Sequence, residues 1–157
     1  MSGSWQEGHP GLPRLLAGLD PSGAPMTLAE HQRVHGEQPA IAGLALIEAI
    51  ERSGLRGRGG ADFPTARKLR AVAAGRRPSA VVVNGTETEP ASGKDQLLLS
   101  RTPHLVLDGA MLAATTVGAA EVIVHVRAGS RGALAALDGA MACLLYTSPS
   151  PRDRQKS

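Results

Sequence analysis

The strongest apolar periodicity in the chain begins at Ile41. In "IAGLALIEAIERSG" the residues Leu44, Leu46, Ile47 and Ile50 recur at near-helical spacing, and Gly54 stands where a left-handed C-cap belongs, so a helix is predicted over 41–54. "FPTARKLRAVAAGRRP" repeats the helical pattern, with Pro64 tolerated in the first turn and Gly75 and Pro78 closing it. "SAVVVNG" then sets three β-branched residues between turn formers, the pattern of a short strand buried on both faces. A polar loop, "TETEPASGKD", follows, and its Lys94 and Asp95 open the next helix as solvated surface. "PHLVLDGAMLAATTVGA" carries helical spacing from Leu105 to Val117, "AEVIVHV" is a second fully buried strand, and "SRGALAALDGAMA" starts another helix.

Strand, helix, strand implies a right-handed crossover between parallel strands. The loop after Val83 then lies at the carboxyl edge of the sheet, where α/β proteins bind their ligands. The fold class expected is a partial, Rossmann-like three-layer α/β domain with a parallel sheet, spanning 41–142. Residues 1–40, rich in Gly, Pro, His and Ser, read as a loosely ordered lead-in with one short helix near "TLAEHQRVHG". The tail, 143–157, holds the only Cys and the only Tyr and turns abruptly polar. It is expected to be a disordered terminus, or a foreign segment that resembles translated adapter sequence, with the genuine chain stopping near Ala142 in mid-domain.

Composition narrows the chemistry. At 157 residues the chain has the length of one domain, and aromatic residues make up only 2%, which removes stacking on exposed bases as a binding strategy. The net charge is +3, but Arg152, Arg154 and Lys156 against Asp153 supply two of those charges. The remainder is too little for the basic face a nucleic acid needs. No run of eighteen apolar residues and no signal-peptide layout occur, so a cytoplasmic protein without direct membrane insertion is expected. A single cysteine, Cys143, excludes an internal disulfide and a multi-cysteine metal site within these residues.

Chemistry concentrates in two loops. "SGLRGRGGADFPTARK", residues 53–68, packs four glycines and three arginines into sixteen positions. Its glycines expose backbone amides just ahead of a helix N-terminus, and Arg58 adds a planar, permanent cation, which together suit a phosphate. The spacing is neither that of the dinucleotide G-x-G-x-x-G nor that of a Walker loop. "VVVNGTETEP" brings Asn84, Thr86, Glu87 and Glu89 off a strand end. Carboxylates do not cradle phosphate but do suit hydroxyls and ring amides, so the pair of loops points to a ligand with a phosphate and a polar ring system, a flavin or nicotinamide nucleotide.

At these residues the chain resembles a known family. "SGLRGRGGADFPTARK", "VVVNGTETEPASGKDQLLL" and "PHLVLDGAMLAA" are similar to the start of the flavin-carrying, NADH-oxidising F subunit of bacterial NADH-quinone oxidoreductase, respiratory complex I. Its pattern is G-R-G-G-A-G-F-P-T-G-x-K, then N-A-D-E-G-E-P-G-x-x-K-D-R, then a P-H helix. The related C subunit of the Rnf electron-transport complex is a second resemblance, with its N-G-x-E-x-E-P loop but a Leu in place of Arg58, and the flavin subunits of soluble NAD-reducing hydrogenase and formate dehydrogenase share the motifs. The resemblance implies FMN held by Gly57, Arg58, Gly59, Gly60 and Lys68, with Asn84, Thr86 and Glu87 completing its site. It implies Phe63 near the nicotinamide or adenine of NADH, Glu89 beside bound NADH, and hydride transfer from NADH to the flavin with no side-chain acid or base. Iron–sulfur subunits of a larger complex are the partners implied, possession of a 4Fe-4S cluster being a property of the family's later half. Electrons would then have no onward path in this chain, which is expected to be inactive by itself.

Several positions depart from the pattern, among them Asp62 and Thr88, which replace a small residue and a glycine, Thr86, which replaces an Asp, and Gln96, which replaces an Arg. A β-branched Thr88 resists any positive φ in that loop. These departures leave a second reading, a non-catalytic nucleotide-binding or assembly module. His104, at a helix start, and His125, in a strand, are expected to cap or pack rather than ligate metal. Met111 and Met141 read as core filler. Ser92 shows no base partner in the sequence, which argues against nucleophilic catalysis.

Overall fold

The structure is a computed structural model that describes residues 15–57, 61–75, 79–87, 89 and 91–147. Among the described residues, six helices and two strands follow one another in the order α1 (Leu28–His35), α2 (Gly43–Ser53), α3 (Thr65–Ala73), β1 (Ala80–Gly85), α4 (Lys94–Arg101), α5 (Pro103–Val117), β2 (Glu121–Val126) and α6 (Arg131–Thr147). The two strands pair directly in a small parallel sheet. The expected α/β class is therefore observed, with α5 inside the β1-to-β2 crossover.

The helix boundaries have local causes. Thr27 caps α1 in a capping box, its hydroxyl accepting from the Glu30 N–H while the Glu30 carboxylate accepts from the Thr27 N–H. Gly54 ends α2 in the left-handed conformation at φ +67°, as its place in the sequence predicted. Pro103 separates α4 from α5, because the residue before a proline is pushed out of the helical region, and Thr102 sits at φ −129°, ψ 53°. At the far end of α5, Gly118 takes φ +65° and the Ala119 N–H reaches back to the Ala114 carbonyl at 2.9 Å. That six-to-one bond is a Schellman closure, and the Ala120 N–H then bonds the Ser79 carbonyl at 3.1 Å, where β2 meets β1.

The chain forms two compact units, each with its own core. One unit takes Gly85–Val106 together with the described residues up to Glu37 and from Val126 onward. In it α4 packs on α6, and a stripe at helical spacing, Ala133, Ala136, Leu137 and Ala140, is buried with Leu99. The Arg101 side chain donates to the carbonyls of Asp20 and Ala24, and the Met26 N–H bonds the Arg101 carbonyl at 2.8 Å. These bonds fasten residues 20–26 to the end of α4. His104 is 3% exposed and packs 5.8 Å from the ring of His31, itself 2% exposed.

The other unit takes Gln38–Asn84 and Leu107–His125. There α2 packs on α3, with Ile47 and Ala66 buried. Both strands were expected to be buried on both faces, and here the structure differs. Half-buried Val81, Val83, Val122 and Val124 alternate with exposed Ala80, Val82, Glu121 and Ile123, Val82 keeping 60% of its surface in solvent. A parallel strand loses both faces to water only when layers cover both sides, and among the described residues this two-stranded sheet presents one row outward. The methionines Met111 and Met141 are likewise not core, at 48% and 39% exposed; the buried stripes of their helices fall on other residues.

The last helix also departs from expectation. Helix α6 continues past Ala142 through Cys143 to Thr147, so the change in composition at 143 does not coincide with the end of regular structure. Leucines such as Leu144 and Leu145 propagate a helix readily.

Candidate functional site

The glycine loop is the turn between α2 and α3, and four fastenings close it. Across the two helices, Arg70 grips Glu51 with two nitrogens, at 2.7 and 3.3 Å. Each raises the charged fraction of the other: Glu51 is held below its ordinary pKa and Arg70 above it by this shared bond. Nearer the loop, the Thr65 N–H bonds the Leu55 carbonyl at 3.0 Å and the Gly57 N–H bonds the Phe63 carbonyl at 2.9 Å, with Arg56 and Pro64 in an antiparallel bridge. The fourth is ionic. Arg56 Nε lies 2.8 Å from Asp62 Oδ2 and 3.0 Å from the Asp62 carbonyl oxygen.

These bonds bring Gly57, Phe63 and Lys68 together. A Cβ added to Gly57 would sit 3.7 Å from Lys68 Nζ and 3.6 Å from the Phe63 carbonyl, so the glycine keeps open the space beside the ammonium. Helix α3 begins with Pro64 as N-cap and no side-chain cap, which leaves the positive end of its dipole unneutralised by any acidic residue in the first turn. Phe63 is 39% exposed, and two cations attend its ring, Arg67 Cζ at 5.4 Å and Lys68 Nζ at 5.8 Å from the centroid. A positive, sterically open corner of this kind can receive an anion. Arg58, Gly59 and Gly60 lie outside the described residues.

The second loop leaves β1 at Gly85 and runs into α4. Asn84 and the first loop belong to one compact unit, while Thr86, Glu87 and Glu89 belong to the other. Glu89 is exposed, Thr86 is half-buried, and Thr88 lies outside the described residues. Glu87 is the ordered centre of this loop. Its side chain is only 7% exposed, and its backbone takes φ +41°. One carboxylate oxygen accepts from the Asp95 N–H at 2.8 Å, the other from Lys94 Nζ at 3.2 Å, and the Ser92 hydroxyl also donates to it.

Glu87 is thus the N-terminal cap of α4, supplied from six residues before the N-cap position, Gly93, which has no side chain to offer. These donors, Ser92 foremost, pull its pKa from 4.5 down to about 2. Ser92 consequently has a carboxylate partner that the sequence did not reveal. A carboxylate so acidic is a poor base, and it leaves the hydroxyl unactivated. Positive φ falls on Asp62 and Glu87, at +43° and +41°. Asp62 stands where the family pattern has glycine, and it takes a positive φ that glycine adopts without a Cβ penalty.

Sequence reasoning missed Arg56, Arg67 and the Ser92–Glu87–Lys94 cluster. Arg56 and Asp62 are six residues apart, and only the closure of the loop makes them neighbours. Arg67 lies in the first turn of α3 and Phe63 just ahead of the N-cap Pro64, which sets the guanidinium over the ring.

Comparison with known proteins bears on these loops directly. The Nuo51 FMN-binding domain family matches residues 50–146, which include both loops, both strands and helices α3 to α5. The F subunit of NADH-quinone oxidoreductase from Aquifex aeolicus is 35% identical over 82 residues, 52% of this chain and 19% of that protein. Its counterpart from Mycobacterium bovis is 36% identical over 111 residues, 64% of this chain and 25% of its own length. A crystal structure of an NAD+-reducing [NiFe]-hydrogenase in the H2-reduced state superposes with a TM-score of 0.58 at 36% identity, covering 64% of this chain and 18% of that one. The chain spans a fifth to a quarter of the length of the two oxidoreductase relatives. With the family match covering well over half of its residues, the chain belongs to the Nuo51 FMN-binding domain family.

Proposed function

We propose that these residues form part of a flavoprotein oxidoreductase that binds FMN and accepts hydride from NADH. The observation that carries the reading is the cationic, open corner at Gly57, Phe63 and Lys68, inside the stretch that matches an FMN-binding domain. Its donors fit the phosphate of FMN: an ammonium, the uncapped start of α3 and a glycine whose missing Cβ leaves room beside both. In this reading Gly57, Arg58, Gly59, Gly60 and Lys68 hold the phosphate. Asn84, Thr86 and Glu87 complete the site toward the hydroxylated chain and ring, Glu87 acting from within its bonds to Ser92, Lys94 and Asp95. Phe63 offers a face to the nicotinamide nucleotide, and Glu89 lies beside it.

When bound, FMN supplies the hydride-accepting chemistry, and the side chains supply orientation and charge. No residue here need act as a general acid or base. Onward passage of electrons to iron–sulfur clusters and a quinone would rest on partner proteins and on residues other than these, since one cysteine cannot ligate a cluster.

Titration of the full chain with FMN, followed by quenching of flavin fluorescence, tests the reading. Saturable binding that is lost in the Gly59→Val/Gly60→Val double variant is the expected result. Bleaching of the bound flavin's visible band on adding NADH distinguishes an oxidoreductase from a module that only holds a nucleotide. Binding unchanged in the double variant would refute the site.

A further inference from the structure

Helix α3 carries Arg67, Lys68 and Arg70, and the structure treats these cations unequally. Arg70 is held by both carboxylate oxygens of Glu51, at 2.7 and 3.3 Å. Arg67 and Lys68 stand exposed in the first turn, and among the described residues neither side chain has a hydrogen bond or an ion pair. Asp62, the acidic residue nearest to them in sequence, is bonded to Arg56 instead, at 2.8 Å. What the two cations share is the ring of Phe63, with Arg67 Cζ 5.4 Å and Lys68 Nζ 5.8 Å from its centroid.

The first turn is the positive end of the helix dipole, where a cation is disfavoured, and a cation–π contact in water offsets little of that cost. Fold stability therefore does not account for the pair, whereas an anionic ligand with a flat ring does. The cations also differ in surroundings. Lys68 Nζ borders the open space at Gly57, 3.7 Å from where a Cβ would stand, while Arg67 lies over Phe63. Its contact with the ring engages none of its N–H donors, so the guanidinium fork stays available for phosphate oxygens.

We propose that Arg67 is a substrate-binding residue that takes the diphosphate of the nicotinamide dinucleotide, with Phe63 receiving a ring of the same molecule and Lys68 left to the phosphate of FMN. A ring laid against Phe63 carries its diphosphate one ribose away, within reach of a long side chain rooted beside the same phenyl group. The inference rests on the flavoprotein reading given above and deepens it at the dinucleotide.

ADP and adenosine differ by the diphosphate alone, so together they separate charge from shape. Binding of ADP, adenosine and FMN to the full chain is measured by titration calorimetry, and binding of NADH by its own fluorescence, for the parent, Arg67→Gln and Arg67→Lys at low and high salt. Arg67→Gln is expected to weaken NADH and ADP about tenfold at low salt and less at high salt, with adenosine and FMN changed by about twofold or less. Arg67→Lys, which keeps the charge but not the fork, recovers part of the loss.

Equal losses of ADP and adenosine in Arg67→Gln would overturn the proposal, since a distorted corner harms both. A loss of FMN as large as that of NADH would overturn it too, by giving Arg67 to the flavin phosphate. A parent chain that binds FMN while Arg67→Gln is silent toward NADH and ADP removes the Arg67 role and leaves the flavoprotein reading standing. A parent chain that binds no FMN removes that reading, and the proposal with it.

Discussion

Two acidic residues in left-handed backbone, one in each loop, show how single side chains shape this chain. Asp62 and Glu87 sit at φ +43° and +41°, a conformation costing a residue with a Cβ about 1 kcal/mol or more. At Glu87 the return is visible: a carboxylate whose side chain is 7% exposed caps α4 and gathers three donors. Its pKa of about 2 lies below the ordinary 4.5, so the folded state prefers the charged form. The stabilisation this gives is fully present above pH 4.5 and is lost as the pH falls from there toward 2. A denaturant midpoint measured against pH should therefore fall across that window in the parent chain. Glu87→Gln should start lower at neutral pH and fall less steeply. Parallel curves for the two proteins would show that Glu87 does not carry the charged cap.

At the scale of elements, what was legible in the sequence was what is locally encoded. Gly54 marks a helix end because glycine reaches the left-handed state without a Cβ penalty, and α2 ends there. The glycine loop could be placed between two helices for the same reason. Burial of the strands was not legible, because a run of valines reads alike whether one face is covered or two. The cap on α4 was hidden too, since Gly93 gives no sign that Glu87 folds back to serve it, and the Arg56–Asp62 pair exists only once the loop has closed. Gly54 gives the test at this scale. A Cβ there meets nothing within 4 Å, so Gly54→Ala isolates the cost of φ +67° from any clash. A loss of about 1–2 kcal/mol in unfolding free energy is expected. Flavin affinity measured on the same variant reports whether the turn also sets the loop's direction: a shift in FMN and riboflavin together would mean that it does.

For the molecule as a whole, the outward row of the sheet decides how the chain behaves in solution. Val82 and Ile123 are 60% and 42% exposed, while Val81, Val83, Val122 and Val124 turn toward the covered side. Apolar rows left in water favour association, whatever covers them in a larger assembly. Replacing both with threonine keeps the β-branched shape that suits a strand and removes apolar surface only. Val82→Thr/Ile123→Thr should leave stability within about 0.5 kcal/mol of the parent, as surface substitutions do, and should lower concentration-dependent light scattering. Val83→Thr, on the half-buried row, should cost more, about 1 kcal/mol, because its hydroxyl enters packed surroundings. Equal costs on the two rows would mean that the row with Val82 is packed against something in solution, and the scattering would then stay unchanged, since there would be no open face to cover.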